Sequence, residues 1–411
     1  MAVRRRVLAD LTPLRASREF RLLWGGQLVN FLGTQLTVVA VPFQVYLLTR
    51  SSLAVGLVSL AQLVPLAVGS LLGGSMADAF DRRRVLLVTQ VLLAAMSTGL
   101  ALNAAGRHPA LWPLFVLTSV SAGLSGIDSP TRNAVLPNLL DRATLPAAFA
   151  LWQVLIQTGQ VAGPALAGLL VGHVGLAPVY WIDVGSFAVA FASVAALPAL
   201  PPQGGGRRAG FRSIGEGLRY LRGHQALQGT FVIDLDAMIF GMPRALFPAL
   251  GTRYFGGGAS TVGLLYAAPG AGALVGAVLT GWVSIVRRQG RAVVAAVMVW
   301  GAAIALFGVS RWLPLALALL GVAGAADVVS AVFRNTILQL SVPDSLRGRL
   351  SAVHIAVVTG GPRIGDAEAG AVAALAGNQL SVVSGGLACL VGALVVAHLM
   401  PAFARYARPD P

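Results

Sequence analysis

The chain has 411 residues, of which 56% are hydrophobic and only 11% are charged. Soluble domains typically carry about 25% charged residues, so the composition excludes an ordinary soluble protein and indicates an integral membrane protein. The net charge is +15, and because the sequence contains no lysine, all 30 basic residues are arginine. A chain without lysine cannot form a Walker-A loop or a Schiff base, which excludes an ATP-driven pump in this single chain.

The remaining reactive side chains exclude further classes of protein. The arginines stand in short loops beside apolar segments, which does not fit a nucleic-acid-binding face. The five histidines are scattered without the spacing of metal ligands, and no pairing of a nucleophile with a base is apparent. We therefore expect no enzyme activity, no cofactor, no metal and no nucleic-acid partner.

Twelve apolar runs follow one another along the chain. A helix needs about 20 mostly apolar residues to cross the hydrocarbon core, and Gly and Pro are frequent within such helices. The predicted spans are 22–48, 53–76, 85–106, 110–131, 145–171, 177–198, 226–250, 261–285, 292–310, 313–336, 351–376 and 379–401. The predicted fold class is an all-α membrane protein.

A loop rich in Pro and Gly separates the first six spans from the last six. In this loop, apolar residues recur at helical spacing from Phe211 to Leu221 with arginines between them, which predicts a basic amphipathic helix on the inner leaflet. A solvated linker helix would produce the same pattern. The predicted organisation is a basic N-terminus (1–21), a first six-helix bundle (22–198), a linker (199–225), a second six-helix bundle (226–401) and a tail (402–411).

The arginines are distributed unequally between the two sets of loops. One set holds most of them, and the opposite set holds only Arg50, Arg107, Arg253 and Arg311. Positively charged loops of a membrane protein stay in the cytoplasm. We therefore expect a multi-pass protein of the plasma (inner) membrane with both termini in the cytoplasm, which an even number of spans also requires.

The short connection after the second span carries a dense group of charges. Residues 73–84 read Gly-Gly-Ser-Met-Ala-Asp-Ala-Phe-Asp-Arg-Arg-Arg, which is small residues, then an acid, then clustered arginines. This order resembles the signature loop of the major facilitator superfamily of secondary transporters, although Ala79 replaces the usual basic residue and Asp81 the usual glycine. The gating-loop residues implied by the resemblance are Gly74, Asp78, Asp81, Arg82 and Arg83.

The resemblance implies the major facilitator fold, in which two six-helix bundles enclose a cavity and cargo binds near the membrane midplane. It also implies that the loop acts in gating. Asp78 would face the N-terminus of span 11, where the helix dipole favours an anion, and would pair with an arginine. The alternative is that Asp81 and the arginines only anchor the loop at the membrane surface.

Span 5 contains the pattern Gly159-x-x-x-Gly163-Pro164-x-x-Ala167-Gly168. Glycines four residues apart create a flat face that packs closely against another helix, and the proline removes a backbone hydrogen bond. The pattern resembles the antiporter motif of drug exporters, with Ala167 in place of one glycine. By resemblance, Gly159, Gly163, Pro164 and Gly168 are associated with export rather than import.

The two halves of the chain repeat a short sequence at the inner end of their fourth spans. Arg132-Asn-Ala-Val-Leu in the first half returns as Arg334-Asn-Thr-Ile-Leu in the second. Asp128 and Arg132 are four residues apart, which predicts an ion pair at the level of the membrane surface. The repeat supports an arrangement of two similar bundles.

Charged side chains within the spans are costly unless they are paired or hydrated, and they often mark ion or proton pathways. Arg363 and Asp366 in span 11 share a helix face, whereas Glu368 points elsewhere. In span 7, Asp234 and Asp236 lie on different faces. The candidates for proton coupling or for the cargo cavity are Asp234, Asp236, Arg244, Arg363, Asp366 and Glu368. A static network between helices is the alternative for the same residues.

Longer stretches resemble the enterobactin-exporter branch of the superfamily, which is similar to the drug:proton antiporters. They include 197–201, 246–250, 262–268 and the pair Gly365-Asp366. The likeness covers nearly the whole chain. It implies a proton-driven exporter of a small amphipathic molecule, either a siderophore or a drug.

We therefore expect a proton-coupled antiporter that works by alternating access, draws on the proton motive force without a cofactor, and acts as a monomer in the lipid bilayer. An importer or uniporter of a small nutrient is the first alternative, although the spans offer few polar groups for a polar solute. A membrane sensor or assembly factor that transports nothing is the second, although the loops are short for an added soluble domain.

Overall fold

The computed structural model of the chain describes residues 10–201, 215 and 219–407. Within these residues the regular structure is helical throughout, without a strand. The longer helices in chain order are α1 (Arg18–Thr49), α2 (Ser52–Ala61), α3 (Leu63–Ala79), α4 (Arg82–Ala105), α5 (Trp112–Leu139), α6 (Leu145–Val174), α7 (Leu176–Ala195), α8 (Gln225–Phe240), α9 (Gly258–Val278), α10 (Gln289–Val309), α11 (Leu313–Ser341), α12 (Asp344–Ala376) and α13 (Asn378–Leu399).

Nine helical segments among the described residues are long and apolar enough to cross a membrane. They coincide with nine of the predicted spans. The other three predicted spans fall on α5, on α8 with the turns that follow it, and on α12. Helices α5 and α12 carry charged residues and α8 has only 16 residues. The all-α membrane fold is confirmed, and the count of twelve spans stays a prediction.

The predicted second span is divided into two helices. Helix α2 ends at Ala61 and α3 begins at Leu63, with Gln62 forming a turn in which its N–H donates to Ser59. Pro65 explains the break, because proline has no N–H to continue the helical hydrogen-bond ladder. The span is therefore one helical segment, Ser52–Ala79, with an interruption at Gln62.

The predicted seventh span is also broken, and this break shapes the candidate site. Helix α8 ends at Phe240, and Pro243 prevents the helix from continuing. The chain then forms a 3₁₀ turn (Arg244–Leu246), one α-helical turn (Phe247–Ala249) and a π-helical turn (Leu250–Tyr254). Irregular backbone at membrane depth must have its polar groups satisfied by the protein. The Trp300 indole donates to the carbonyl of Gly241 at 2.8 Å, which is one such contact.

The contacts divide the chain into two compact units. The first comprises the chain up to Val41 and Val64–Arg208, and the second comprises Pro42–Leu63 and the chain from Ala209 onward. Phe20, Leu86 and Leu136 are among the buried residues of the first unit's core, and Phe247, Phe307 and Phe333 are among those of the second. The six-helix bundles proposed from the sequence therefore stay a prediction, since Pro42–Leu63 falls in the second unit.

Three predicted features fall wholly or partly outside the described residues. The amphipathic helix of the linker lies mostly in 202–214 and 216–218, the basic N-terminus includes 1–9, and the tail includes 408–411. These features stay predictions.

Candidate functional site

The charged loop at 73–84 joins several helix ends of the first unit. Asp81 caps α4, since its Oδ1 accepts the N–H of Arg83 at 2.9 Å and that of Leu200 at 3.3 Å. Arg82 is buried and donates to the carbonyls of Ala77 and Ala134, both at 3.1 Å. The guanidinium of Arg83 donates to the carbonyl of Ala195 at 2.5 Å. Asp81 and the two arginines therefore fix the ends of α3, α5 and α7.

Asp78 and Gly74 make fewer contacts than these neighbours. The Asp78 side chain is exposed and forms no ion pair among the described residues. Its contact with span 11 stays a prediction. A side chain at Gly74 would meet nothing within 4 Å, whereas a Cβ at Gly73 would lie 2.6 Å from the Cα of Ile127. Gly73 is therefore the close-packing glycine of this loop, which the sequence did not single out.

The glycine pattern of α6 packs against α1 in the first unit. Gly159, Gly163, Pro164 and Gly168 are all buried. A side chain at Gly159 would overlap the ring of Phe31, and one at Gly163 would overlap Gln35. The glycines therefore allow α1 and α6 to approach closely, which is the packing that the pattern predicts.

In the second unit, Asp366 of α12 lies beside the broken end of α8. Its Oδ2 accepts the hydroxyl of Ser59 at 2.6 Å, and its Oδ1 accepts the N–H of Ala245 at 3.1 Å. Arg244 and Arg363 both lie within electrostatic reach of this carboxyl group. The helix break at Pro243 thus supplies both a backbone donor and an arginine to Asp366.

The two arginines near Asp366 differ in their surroundings. Arg363 is partly buried and donates to the carbonyl of Thr359 one turn earlier, at 2.7 Å. The Arg244 side chain is exposed, while its carbonyl accepts the hydroxyl of Tyr266 at 3.0 Å. Tyr266 and Ser59 belong to this site and could not be found from the sequence, because they come from distant helices.

Asp234 of α8 forms a buried ion pair with Arg334 of α11. The side chains are only 2% and 5% exposed, respectively. A second carboxylate, Asp327, lies on α11 with its Oδ1 3.6 Å from the Arg334 guanidinium, and its side chain is 32% exposed. The repeated Arg-Asn sequence at Arg334 was the signal that could have assigned this arginine to the site.

Asp236 and Glu368 stand apart from these groups. Asp236 faces α13, where it contacts Cys389 and where a side chain at Gly392 would overlap it. Glu368 is partly exposed and has neither a hydrogen bond nor an ion pair among the described residues. The structure therefore brings together Arg244, Arg363 and Asp366, joins Asp234 to Arg334, and leaves Asp236 and Glu368 outside both groups.

Arg244 links the two groups, because it also lies within electrostatic reach of Asp327. The second unit thus contains a set of alternating charges that we call the charged row: Arg363, Asp366, Arg244, Asp327, Arg334 and Asp234. Carboxylates held beside arginines within a membrane protein can gain and lose protons or bind a charged group of a cargo. In the described part of the chain, no three His, Cys, Asp or Glu residues are grouped as metal ligands.

The first unit contains two further buried carboxylates, Asp128 and Asp183, which are not among the candidates predicted from the sequence. Asp128 forms an ion pair with Arg132 and accepts the Thr89 hydroxyl at 2.9 Å and the Gln90 amide at 3.1 Å. The predicted ion pair is confirmed, and both of its residues are only 6% exposed. The polar side chains of α4 explain this burial, because they satisfy the carboxylate. The depth of the ion pair relative to the membrane surface stays a prediction.

Asp183 of α7 is the second buried carboxylate of the first unit. It accepts hydroxyl groups of Thr37 at 2.8 Å and Ser97 at 2.7 Å, and a third from Ser186 at 3.4 Å. It is held by hydroxyl groups and has no ion pair among the described residues. This arrangement is typical of a carboxyl group that crosslinks helices α1, α4 and α7.

Comparison with protein families places almost the whole chain in one group. Residues 8–406 match the family described as transmembrane secretion effector. Enterobactin exporters EntS of Citrobacter koseri and of Shigella boydii are each 27% identical over 404 residues, covering 98% of this chain and 97% of the relative.

Solved structures share the fold at low sequence identity. The nucleoside transporter NupG is 13% identical, with a TM-score of 0.74 over 94% of this chain and 100% of that one. A peptide transporter of the POT family, solved with alafosfalin, is 12% identical, with a TM-score of 0.75 over 96% of both chains. A bacterial homologue of the human lysosomal transporter Spinster, inward-facing and unoccupied, is 13% identical, with a TM-score of 0.73 over 95% of this chain and 98% of that one.

Proposed function

The chain belongs to the transmembrane secretion effector family of the major facilitator superfamily, and from this premise we propose that it is a proton-coupled exporter of small amphipathic molecules. It works by alternating access, draws its energy from the proton motive force rather than from a cofactor, and carries out no enzymatic reaction. It acts as a monomer in the inner membrane, with both termini in the cytoplasm.

The charged row of the second unit is the observation that carries this proposal. Ionisable groups within membrane spans are expensive to keep, and in transporters they form proton relays and substrate sites. An exporter that consumes a proton gradient needs a carboxyl group that binds a proton on the outer side and releases it on the inner side. Asp234 and Asp366 lie within the spans beside arginines, so they fit this role.

The cargo proposed is a siderophore or a drug with a large apolar surface. The relatives are named enterobactin exporters, and enterobactin is therefore the first cargo to test. The spans of this chain are rich in apolar residues and poor in carboxamides, which favours an amphipathic cargo over a sugar-like nutrient.

In this proposal, the loop at 73–84 and the glycines of α6 allow the first unit to move as one body. Asp81, Arg82 and Arg83 tie helix ends of the first unit together, so the unit can move as a body. Asp78 is exposed beside them and is the residue left to make and break a contact during the cycle. Gly159 and Gly163 keep α1 and α6 closely packed while the unit moves.

Inverted membrane vesicles test the proposal, because export from the cell becomes uptake into the vesicle. With an acidic lumen, vesicles that contain the protein should accumulate enterobactin, or a fluorescent amphipathic dye, above vesicles without it. A protonophore should abolish the difference. If the gradient drives uptake of neither these probes nor a wider panel of drugs and siderophores, the proposed function is wrong. Equilibration without accumulation would favour the uniporter.

A further inference from the structure

We propose that Asp234 and Asp327 form one proton-binding pair in the second unit, and that Arg334 is the positioning residue that joins them. This inference rests on the proposed function, since it names the group that carries the coupled proton. Of these three residues, only Asp234 is among the candidates predicted from the sequence.

The contacts of Arg334 carry the argument. Its guanidinium forms the ion pair with Asp234 through Nη1 and approaches Asp327 through Nη2 at 3.6 Å. The pair with Asp234 connects two helices, α8 and α11, whereas Asp327 lies two turns before Arg334 on α11 itself. A single planar guanidinium can bind two carboxylates from different directions, so Arg334 is shared between the two acids.

The charges of these three residues set the number of protons. Asp234, Asp327 and Arg334 carry a net charge of −1 when both carboxylates are ionised, and one added proton makes these three residues neutral. Arg244 also lies within electrostatic reach of Asp327, but its side chain is exposed and it is shared with Asp366. Unbalanced charge away from water is costly, so the group is suited to bind one proton and to bind no second one. Because the two carboxylates share one counter-ion, the proton belongs to the pair and not to either residue.

The two carboxylate side chains differ in their exposed fraction. The Asp327 side chain is 32% exposed and that of Asp234 only 2%. We therefore place proton entry and exit at Asp327. When Asp327 holds the proton, Arg334 neutralises Asp234; when Asp234 holds it, Arg334 neutralises Asp327. The proton is taken from water on one side of the membrane and returned to water on the other, so no further reactant is needed.

Unused hydrogen-bonding capacity lies beside the pair. Ser330 stands on α11 between Asp327 and Arg334, at spacings of three and four residues that place all three on one helix face. Its side chain is buried, and its hydroxyl has no hydrogen-bond partner among the described residues. The Nε of Arg334 is likewise buried and without a partner in that part of the chain. These groups can stabilise a second position of the guanidinium.

Other ionisable groups approach the pair from the neighbouring helices. His354 of α12 lies within electrostatic reach of Arg334, and Arg244 lies within electrostatic reach of Asp327. Helices α9 and α10 carry only Tyr266 and Arg291. Asp236, on α8, faces α13. Since His354 also titrates, the test must detect carboxyl groups specifically.

Infrared difference spectroscopy on the purified protein in lipid meets this requirement, because protonated and ionised carboxyl groups absorb at different frequencies. The protein is compared with Asp327→Asn, Asp234→Asn and the double variant as pH is changed, with Asp141→Asn, an exposed loop carboxylate, as the matched control. Either single change leaves one carboxylate and Arg334, which is neutral without a proton. We expect each single variant to lose the same pH-dependent carboxylic-acid signal, and the double variant to lose no more. Asp327→Glu keeps a carboxyl group at this position and should keep the signal that Asp327→Asn loses.

The same variants are then assayed for transport in proteoliposomes with enterobactin as the probe. Asp327→Asn should lose accumulation driven by the pH gradient but keep exchange of enterobactin across the membrane without a gradient. An unchanged carboxylic-acid signal in Asp327→Asn, or signals lost additively in the two single variants, overturns the shared pair. Each single variant could lose the shared carboxylic-acid signal as expected while the unmodified protein shows no proton-driven transport. That outcome overturns the proposed function and leaves the proton-binding pair standing.

Discussion

The repeated arginines of the two units, Arg132 and Arg334, occupy corresponding sequences but have different partners. Arg132 pairs with Asp128 on its own helix, and Thr89 and Gln90 satisfy the rest of that carboxylate. Arg334 pairs with Asp234 on another helix and has a second acid, Asp327, nearby. The first arrangement joins one acid to one arginine, whereas in the second Arg334 lies between two acids, one of which is also within electrostatic reach of Arg244. The repeated motif therefore forms an ion pair within one helix in the first unit and between two helices in the second, where we propose proton exchange.

We expect the two arginine sites to differ most in proton coupling, measured as cargo accumulation driven by a pH gradient. Asp234→Asn should abolish accumulation of enterobactin driven by a pH gradient, because the proton-binding pair is lost. Asp128→Asn should keep the gradient dependence for each correctly folded molecule, because that carboxylate lies in the first unit, outside the proposed proton-binding pair. Uptake normalised to folded protein in inverted vesicles measures both. If Asp128→Asn loses coupling as fully as Asp234→Asn, the contrast between the units is wrong.

The next largest effect concerns stability in the first unit. Arg132→Gln removes the counter-ion of a buried carboxylate, which should lower the free energy of unfolding by about 3–5 kcal/mol. Adding Asp128→Asn should recover much of this loss, because the site again carries no uncompensated charge. Unfolding in mixed detergent micelles measures the free energy of unfolding of the single and the double variant. A stable Arg132→Gln protein would show that the ion pair is hydrated and not structural.

A smaller loss is expected from overpacking the glycine face of α6. In Gly163→Leu the added side chain would overlap Gln35, and overpacking typically costs about 1–3 kcal/mol. Gly74→Ala is the matched control in the same unit, since the space around it is open, and it should leave stability unchanged. Equal losses in the two variants would indicate that α1 and α6 are less closely packed than described.

The smallest effect concerns the second unit, where Ser59 donates to Asp366. Ser59→Ala removes this hydrogen bond, with an expected loss of about 1 kcal/mol, while the N–H of Ala245 still satisfies the carboxyl group. Thermal unfolding in detergent should show a small decrease, and Ser59→Thr, which keeps the hydroxyl, should show less. A loss as large as that of Arg132→Gln would mean that Ser59, and not the backbone, holds Asp366.

The sequence predicted the helices well because hydrophobic length is a local property. It did not predict the breaks at Gln62 and Pro243, since prolines also occur inside intact membrane helices such as α6. Helical spacing correctly separated Asp234 from Asp236, which face different helices. The partners of Asp234 and Asp366 were missed because Arg334 and Ser59 lie far away in the chain. Only packing brings them together, and residue spacing along one helix contains no information about it.

Simultaneous measurement of cargo and protons tests the central claim most directly. Proteoliposomes with an acidic lumen contain a trapped pH-sensitive dye, and enterobactin is added outside. The account predicts that the lumen becomes less acidic as enterobactin enters, and that Asp234→Asn abolishes this proton efflux while allowing exchange of the cargo. Entry of enterobactin against its gradient with no change in luminal pH would contradict proton-coupled export by this protein.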